Sequence, residues 1–161
     1  MSNIFRAVEF LGLSVWLGSD IFLSFVVAPG AFRVLAPNRD QAGAVVGFAL
    51  TKMHLIGIAC GVAILLLRLL RTKSFASLGA PAAVCVMLMI VLTTVSQLAV
   101  TPKMAALRTQ MGSIQATAAD SPLLVEFAKL HQVSVTLESA VLLAGIACVF
   151  LMVYESIRVG N

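Results

Sequence analysis

The sequence predicts an all-α fold: an integral membrane four-helix bundle with helical extensions and a short amphipathic helix on one side. Three observations carry this expectation. Of the 161 residues, 60% are apolar and 11% charged, whereas soluble domains are about a quarter charged. Mean hydropathy is +1.04, more apolar surface than a soluble core of this length can hide. Four apolar stretches each approach or exceed the roughly 20 residues needed to cross a hydrocarbon layer. They are 4–28, 50–70, 79–101 and 132–154, within what reads as a single domain over 1–161.

The first stretch contains Glu9 and Asp20 and has no small-residue cleavage site, so it reads as a retained span and not a signal peptide. Pro29-Gly30 is expected to end it, because proline lacks an N–H and clashes with the preceding turn. Pro37-Asn38 breaks the chain again, and a second helix runs from Asp40 into the membrane, ending in Arg68, Arg71 and Lys73. The connection to the third stretch is short, which makes these two helices antiparallel neighbours.

After Thr101-Pro102, the residues Met104, Leu107, Met111 and Ile114 recur at three- and four-residue steps opposite Lys103, Arg108 and Gln110. That spacing predicts an amphipathic helix. Ser121-Pro122 reads as a cap followed by proline in the first helical position. The last helix then runs from about Pro122 to about Ile157. No internal repeat, phosphate-binding glycine loop or low-complexity tract stands out. Cys60, Cys85 and Cys148 lie in three different apolar stretches, with no spacing that suggests a disulfide framework or a zinc site.

Let side A be the face holding the N-terminus, the Arg71–Ser77 connection and the C-terminus, and side B the face of the two longer connections. A rise of about 1.5 Å per residue converts position into depth. It puts Asp20, Glu138, His54 and Gln97 between roughly 5 and 10 Å from mid-membrane toward side B, with His131 farther out at roughly 16 Å. Four helices thus send polar groups into one half of the bilayer. Hydrocarbon cannot solvate them, so they should meet inside the bundle. The expected cluster is Asp20, His54, Gln97, His131, Ser134 and Glu138. On side A, Glu9 and Arg68 fall at one depth and form a candidate ion pair, the alternative being that each snorkels to the interface. Gly57-x-x-x-Gly61 should let helix backbones approach closely. Trp16, near mid-membrane, should find an acceptor for its indole N–H.

Several chemistries could use such a cluster. His131, Glu138, Asp20 and His54 are candidate ligands for a transition metal. His54 and His131 are the minimum for bis-histidine haem, although their depths differ. Carboxylates and imidazoles at staggered depths also suit proton or ion movement, but here only in the side B half. Ser134 with His131 and Glu138 has the composition of a hydrolytic triad. Three groups on one helix face cannot converge on one carbonyl, however, so no enzymatic activity is expected. The plainest reading is a hydrogen-bonded network that fixes helix register. No cofactor is expected on this reading, with haem or a transition metal as the competing case.

The stretches WLGSDIFLSFVVAPGAFRVL, QAGAVVGFALTKMHLIGIACG, TPKMAALR and FAKLHQVSVTLESAVLLAG, in this order, resemble the transmembrane-protein-205-like family. The most specific elements are Trp16-x-Gly18, the V-A-P-x-x-F of Val27 to Phe32 and the F-x-x-L-H-x-x-S of Phe127 to Ser134. The resemblance implies a four-span membrane domain of unknown function with no established catalytic activity. It also implies a distant similarity to copper-resistance D-type membrane proteins, which favours the metal or haem case. His54 stands where an aromatic residue is usual, and Glu138 where many relatives carry asparagine; His131 matches the motif.

The expectation for function is therefore a non-enzymatic binding, transport-associated or complex-assembly role in a bacterial cytoplasmic (inner) membrane. The partners implied are membrane lipids and other membrane subunits or further copies of the chain. Nothing resembles a nucleic-acid surface. Side A carries Arg6, Arg68, Arg71, Lys73 and Arg158, and side B carries Arg33, Arg39, Lys52, Lys103, Arg108 and Lys129. Five against six does not fix orientation, and the basic Arg71–Ser77 connection leans toward a cytoplasmic side A.

Overall fold

In the computed structural model the backbone is described for residues 2–160 and side chains for 4–158. The chain forms α1 (Ser2–Phe22), a π-turn (Leu23–Val27), α2 (Ala28–Val34), α3 (Arg39–Thr72), a 3-10 turn (Phe75–Gly79), α4 (Pro81–Val95), a second π-turn (Ser96–Val100), α5 (Thr101–Met111) and α6 (Pro122–Gly160). No strand occurs among the described residues. Four continuous rods result, Ile4–Val34, Arg39–Thr72, Pro81–Met111 and Pro122–Arg158, each long and apolar enough to cross a membrane. They pack as a four-helix bundle in which α1 lies on α3 and α4 on α6, with α3 against α4 and α1 against α6 closing the ring. The protein is thus an integral multi-pass membrane protein of all-α class.

Proline does not end the first rod at Pro29-Gly30. The π-turn ahead of it widens the helix by one residue, so that the Ala28 N–H reaches back to the Leu23 carbonyl. The third rod uses the same device, with the Thr101 N–H bonded to the Ser96 carbonyl just ahead of Pro102. An inserted residue gives the proline ring room without breaking the rod. The segment Thr101–Met111, expected as a separate amphipathic helix reaching Ile114, therefore continues α4 and ends at Met111; it buries Leu107, and Arg108 packs half-buried beside it against Gly43 and Phe127 and not on the opposite face. Asn38 caps α3 by accepting from the Gln41 N–H at 3.1 Å. Lys73 ends that helix in the left-handed region at φ 52°, its N–H on the Leu69 carbonyl.

Contrary to the sequence reading, the molecule repeats itself. Leu23 and Ser96 each open a π-turn six residues ahead of a proline. Aligned on those turns, buried Glu9, Leu13, Trp16, Asp20 and Leu23 match buried Ala82, Val86, Met89, Thr93 and Ser96. In the second helices of the two halves, buried Gly57, Gly61, Ile64 and Arg68 of α3 match buried Val141, Gly145, Cys148 and Met152 of α6, which sets His54 opposite Glu138. The side chains differ too much for the repeat to show in the sequence. Burial and turn positions, which follow from packing, keep it. Both halves cross the membrane in the same sense.

Buried groups stack in three layers. Nearest side A lie Glu9 and Arg68, with half-buried Arg71 beside them. An apolar core of Leu13, Trp16, Ile64, Val86, Met89, Val141 and Cys148 follows. Beyond it, toward side B, come Asp20, His54, Thr93 and Ser96.

Candidate functional site

His54 is the centre of the side B layer. Its ring is completely buried, with Nδ1 2.8 Å from Gln97 Oε1 and Nε2 2.6 Å from Glu138 Oε1. Ser96 donates its hydroxyl to the same Glu138 oxygen at 3.1 Å. Asp20, 1% exposed, lies within Coulombic reach of His54 and Glu138 and accepts from Ser24 Oγ at 3.3 Å. Asp20 Oδ2 and Glu138 Oε2 are buried without a hydrogen-bond partner among the described residues, as are Trp16 Nε1 and Thr93 Oγ1.

The helices dictate who meets whom. His54 and Gly57 lie on the face of α3 turned into the bundle, and Glu138 shares a face of α6 with Ser134 and Val141, both buried. Ser96 and Gln97 are sequence neighbours, and an α-helix would splay them by about 100°. The wider π-turn they occupy lets both reach the cluster. Sequence reasoning missed Ser96 for that reason; its adjacency to Gln97 in a stretch with a proline downstream was the available signal.

Not every expected member arrives. His131 is exposed although it shares a face with Glu138, because α6 projects beyond the cluster there. Ser134 is buried but bonds to none of the cluster's side chains. The triad and the bis-histidine pair are therefore not assembled. Both His54 nitrogens are already engaged, and among the described residues no three His, Cys, Asp or Glu side chains are placed to hold a metal ion.

On side A the Glu9–Arg68 pair is replaced by two others. Arg71 grips both Glu9 oxygens through Nε and Nη2, at 3.0 and 3.2 Å, and Arg68 reaches Glu155 at 2.6 Å and the Ser77 carbonyl at 3.0 Å. Depth was right, but rotation about α3 decides the partner. Arg71 points to α1, and Arg68, three residues back, points to α6.

Trp16 also departs from expectation. Its indole fills the Gly57-x-x-x-Gly61 groove itself, so that a Cβ on Gly57 would lie 2.3 Å from Nε1 and one on Gly61 2.6 Å from Cζ3. The glycines admit a side chain, not a backbone, and no acceptor remains opposite the N–H. At the rim, Arg108 lies 5.8 Å from the Phe127 ring centroid and against the Gly43–Gly47 face of α3.

Two carboxylates, one imidazole and a short chain of hydroxyl and amide groups, held in a layer bounded by lipid, can hold or exchange protons. The apolar layer around Trp16 and Met89 separates them from side A. Comparison with curated proteins and with solved structures returns no match. Residues 11–113, from α1 to just past α5, match the family model described as Domain of unknown function (DUF4149), and the chain belongs to that family.

Proposed function

We propose that this chain is a non-enzymatic, transport-associated component of a bacterial cytoplasmic membrane, of the transmembrane-protein-205-like type, which works by reversible protonation of the Asp20–His54–Glu138 cluster. The observation that carries this reading is His54, fully buried with an oxygen facing each ring nitrogen. Gln97 Oε1 can only accept, so Nδ1 carries a hydrogen, and Nε2 either donates to an ionised Glu138 or accepts from a protonated one. The proton count of the ring is thus tied to that of Glu138.

With all three groups ionised the cluster carries one net negative charge, and one added proton brings it to zero. In a hydrocarbon setting that difference is large, so the cluster is built to hold or pass one proton. Exchange would be with side B, since the apolar layer of Leu13, Trp16, Val86 and Met89 lies between the cluster and side A.

The test is infrared difference spectroscopy of the protein in liposomes, titrated from about pH 4 to about pH 9. A carboxyl C=O band that titrates, and is altered in both Asp20→Asn and Glu138→Gln, is the expected result. A spectrum without a titrating carboxyl assigned to either residue would reduce the cluster to a network that only sets helix register.

A further inference from the structure

The side A end holds an arrangement that proton exchange does not use. A cavity of about 350 Å³ opens between α1, α3 and α6 beside the start of α4, lined by Arg6, Arg68, Arg71 and Arg158 together with Glu9 and Glu155. Four guanidiniums face two carboxylates. The carboxylates are already matched, Glu9 by Arg71 and Glu155 by Arg68. Among the described residues Arg6 bonds only the Ser156 carbonyl and hydroxyl, at 3.5 and 3.2 Å, and Arg158 stacks on Tyr154 with its carbon 4.7 Å from the ring centroid. Among the described residues that line the cavity, two positive charges are left in excess.

Depth gives this excess its meaning. Counting about 1.5 Å per residue from mid-span puts Arg6 roughly 15 Å toward side A and Arg158 roughly 22 Å. The hydrocarbon ends about 15 Å from the centre, so both sit at headgroup level. Guanidinium forks fit phosphate oxygens two at a time. Basic pockets between membrane helices at this level suit anionic headgroups.

We infer that the side A cavity binds an anionic phosphate group through Arg6 and Arg158, supplied by an acidic phospholipid headgroup or by soluble phosphate. The Arg71–Glu9 and Arg68–Glu155 pairs form a neutral floor that holds the walls apart and leaves the two outer guanidiniums to the ligand. The site stands at the opposite end from the protonation cluster, and neither depends on the other.

The experiment measures thermal unfolding of the full chain in phosphatidylcholine nanodiscs in two arms. One replaces part of the lipid with phosphatidylglycerol; the other adds sodium phosphate at constant ionic strength. An upward shift of the midpoint is expected, in the first arm for a lipid source and in the second for a soluble one. R6Q/R158Q should lose the shift, with binding weakened on the order of tenfold for each guanidinium removed. Lys103→Gln with Lys129→Gln on side B should keep it. Should the double arginine variant fail to fold, R158Q alone, at an exposed position, is read the same way. No shift in either arm, or an undiminished one in the arginine variants, overturns the inference.

Discussion

Without its ring, His54 would leave Glu138 with only the Ser96 hydroxyl and Gln97 with no partner in the cluster. Removing one member of a buried charged pair costs about 3–5 kcal/mol, since the survivor stays buried. His54→Ala should therefore lower unfolding stability by that order in a denaturant titration in bicelles. His131→Ala, at an exposed position of α6, should stay within about 0.5 kcal/mol. Equal effects of the two would refute the burial difference. The Trp16 groove makes a second test. Gly57→Ala forces a methyl to 2.3 Å from Nε1 of a ring with no room to withdraw, so about 1–3 kcal/mol should be lost. Gly18→Ala, with nothing within 4 Å of its Cβ, is the control and should be neutral or stabilising by up to about 1 kcal/mol.

Among the elements, the π-turns fix how α2 and α5 leave the rods. Leu98 sits in the second turn and is 71% exposed, so deleting it removes no core contact. The turn would then close to α-helix, and α5 would rotate by about 100° relative to α4. Leu107 would swing out of its buried position, and hydrogen exchange should show α5 deprotected while α4 stays protected; unchanged protection would mean the turn does not set α5. The segment after α5 docks on the start of α3 through Asp40, which accepts from Ser113 Oγ at 2.6 Å and the Ile114 N–H at 2.9 Å. The Ser113 hydrogen bond first, and the Ile114 and Gln115 backbone after it, hold the Asp40 carboxyl below its ordinary value against some desolvation. A folded value below the unfolded one means the docking contribution is full above about pH 4 and is lost as pH falls through the folded value. Proteolysis within 112–121 should therefore speed up on acidification, and in Asp40→Asn it should be fast at every pH. The four rods and their lipid environment were legible in apolar run length alone. The π-turns were not, because proline signals a break and nothing local says that one inserted residue will absorb it. For the same reason Gln97 was legible as a polar group at the right depth and Ser96 was not. His131 was misplaced because depth and face periodicity do not say where a helix outruns its neighbours.

At the scale of the molecule, two like halves, α1–α3 and α4–α6, are joined in sequence only by the turn Phe75–Gly79. Each half has its own apolar seam, but the strongest polar contacts cross between them: His54 to Gln97 and Glu138, and Arg68 to Glu155. In lipid, apolar helix faces gain little by leaving the acyl chains, so packing and interhelical hydrogen bonds decide association. These crossing bonds, one set in each membrane leaflet, should therefore hold the halves together without the covalent link. A protease site inserted at Ala76, exposed in the 3-10 turn, tests this directly. After cleavage in mild detergent the halves should copurify. With His54→Ala and Arg68→Ala combined they should separate on the column, although the uncut double variant still runs as one chain. Separation of the cleaved parent protein would show that the link, and not the crossing network, keeps the bundle closed.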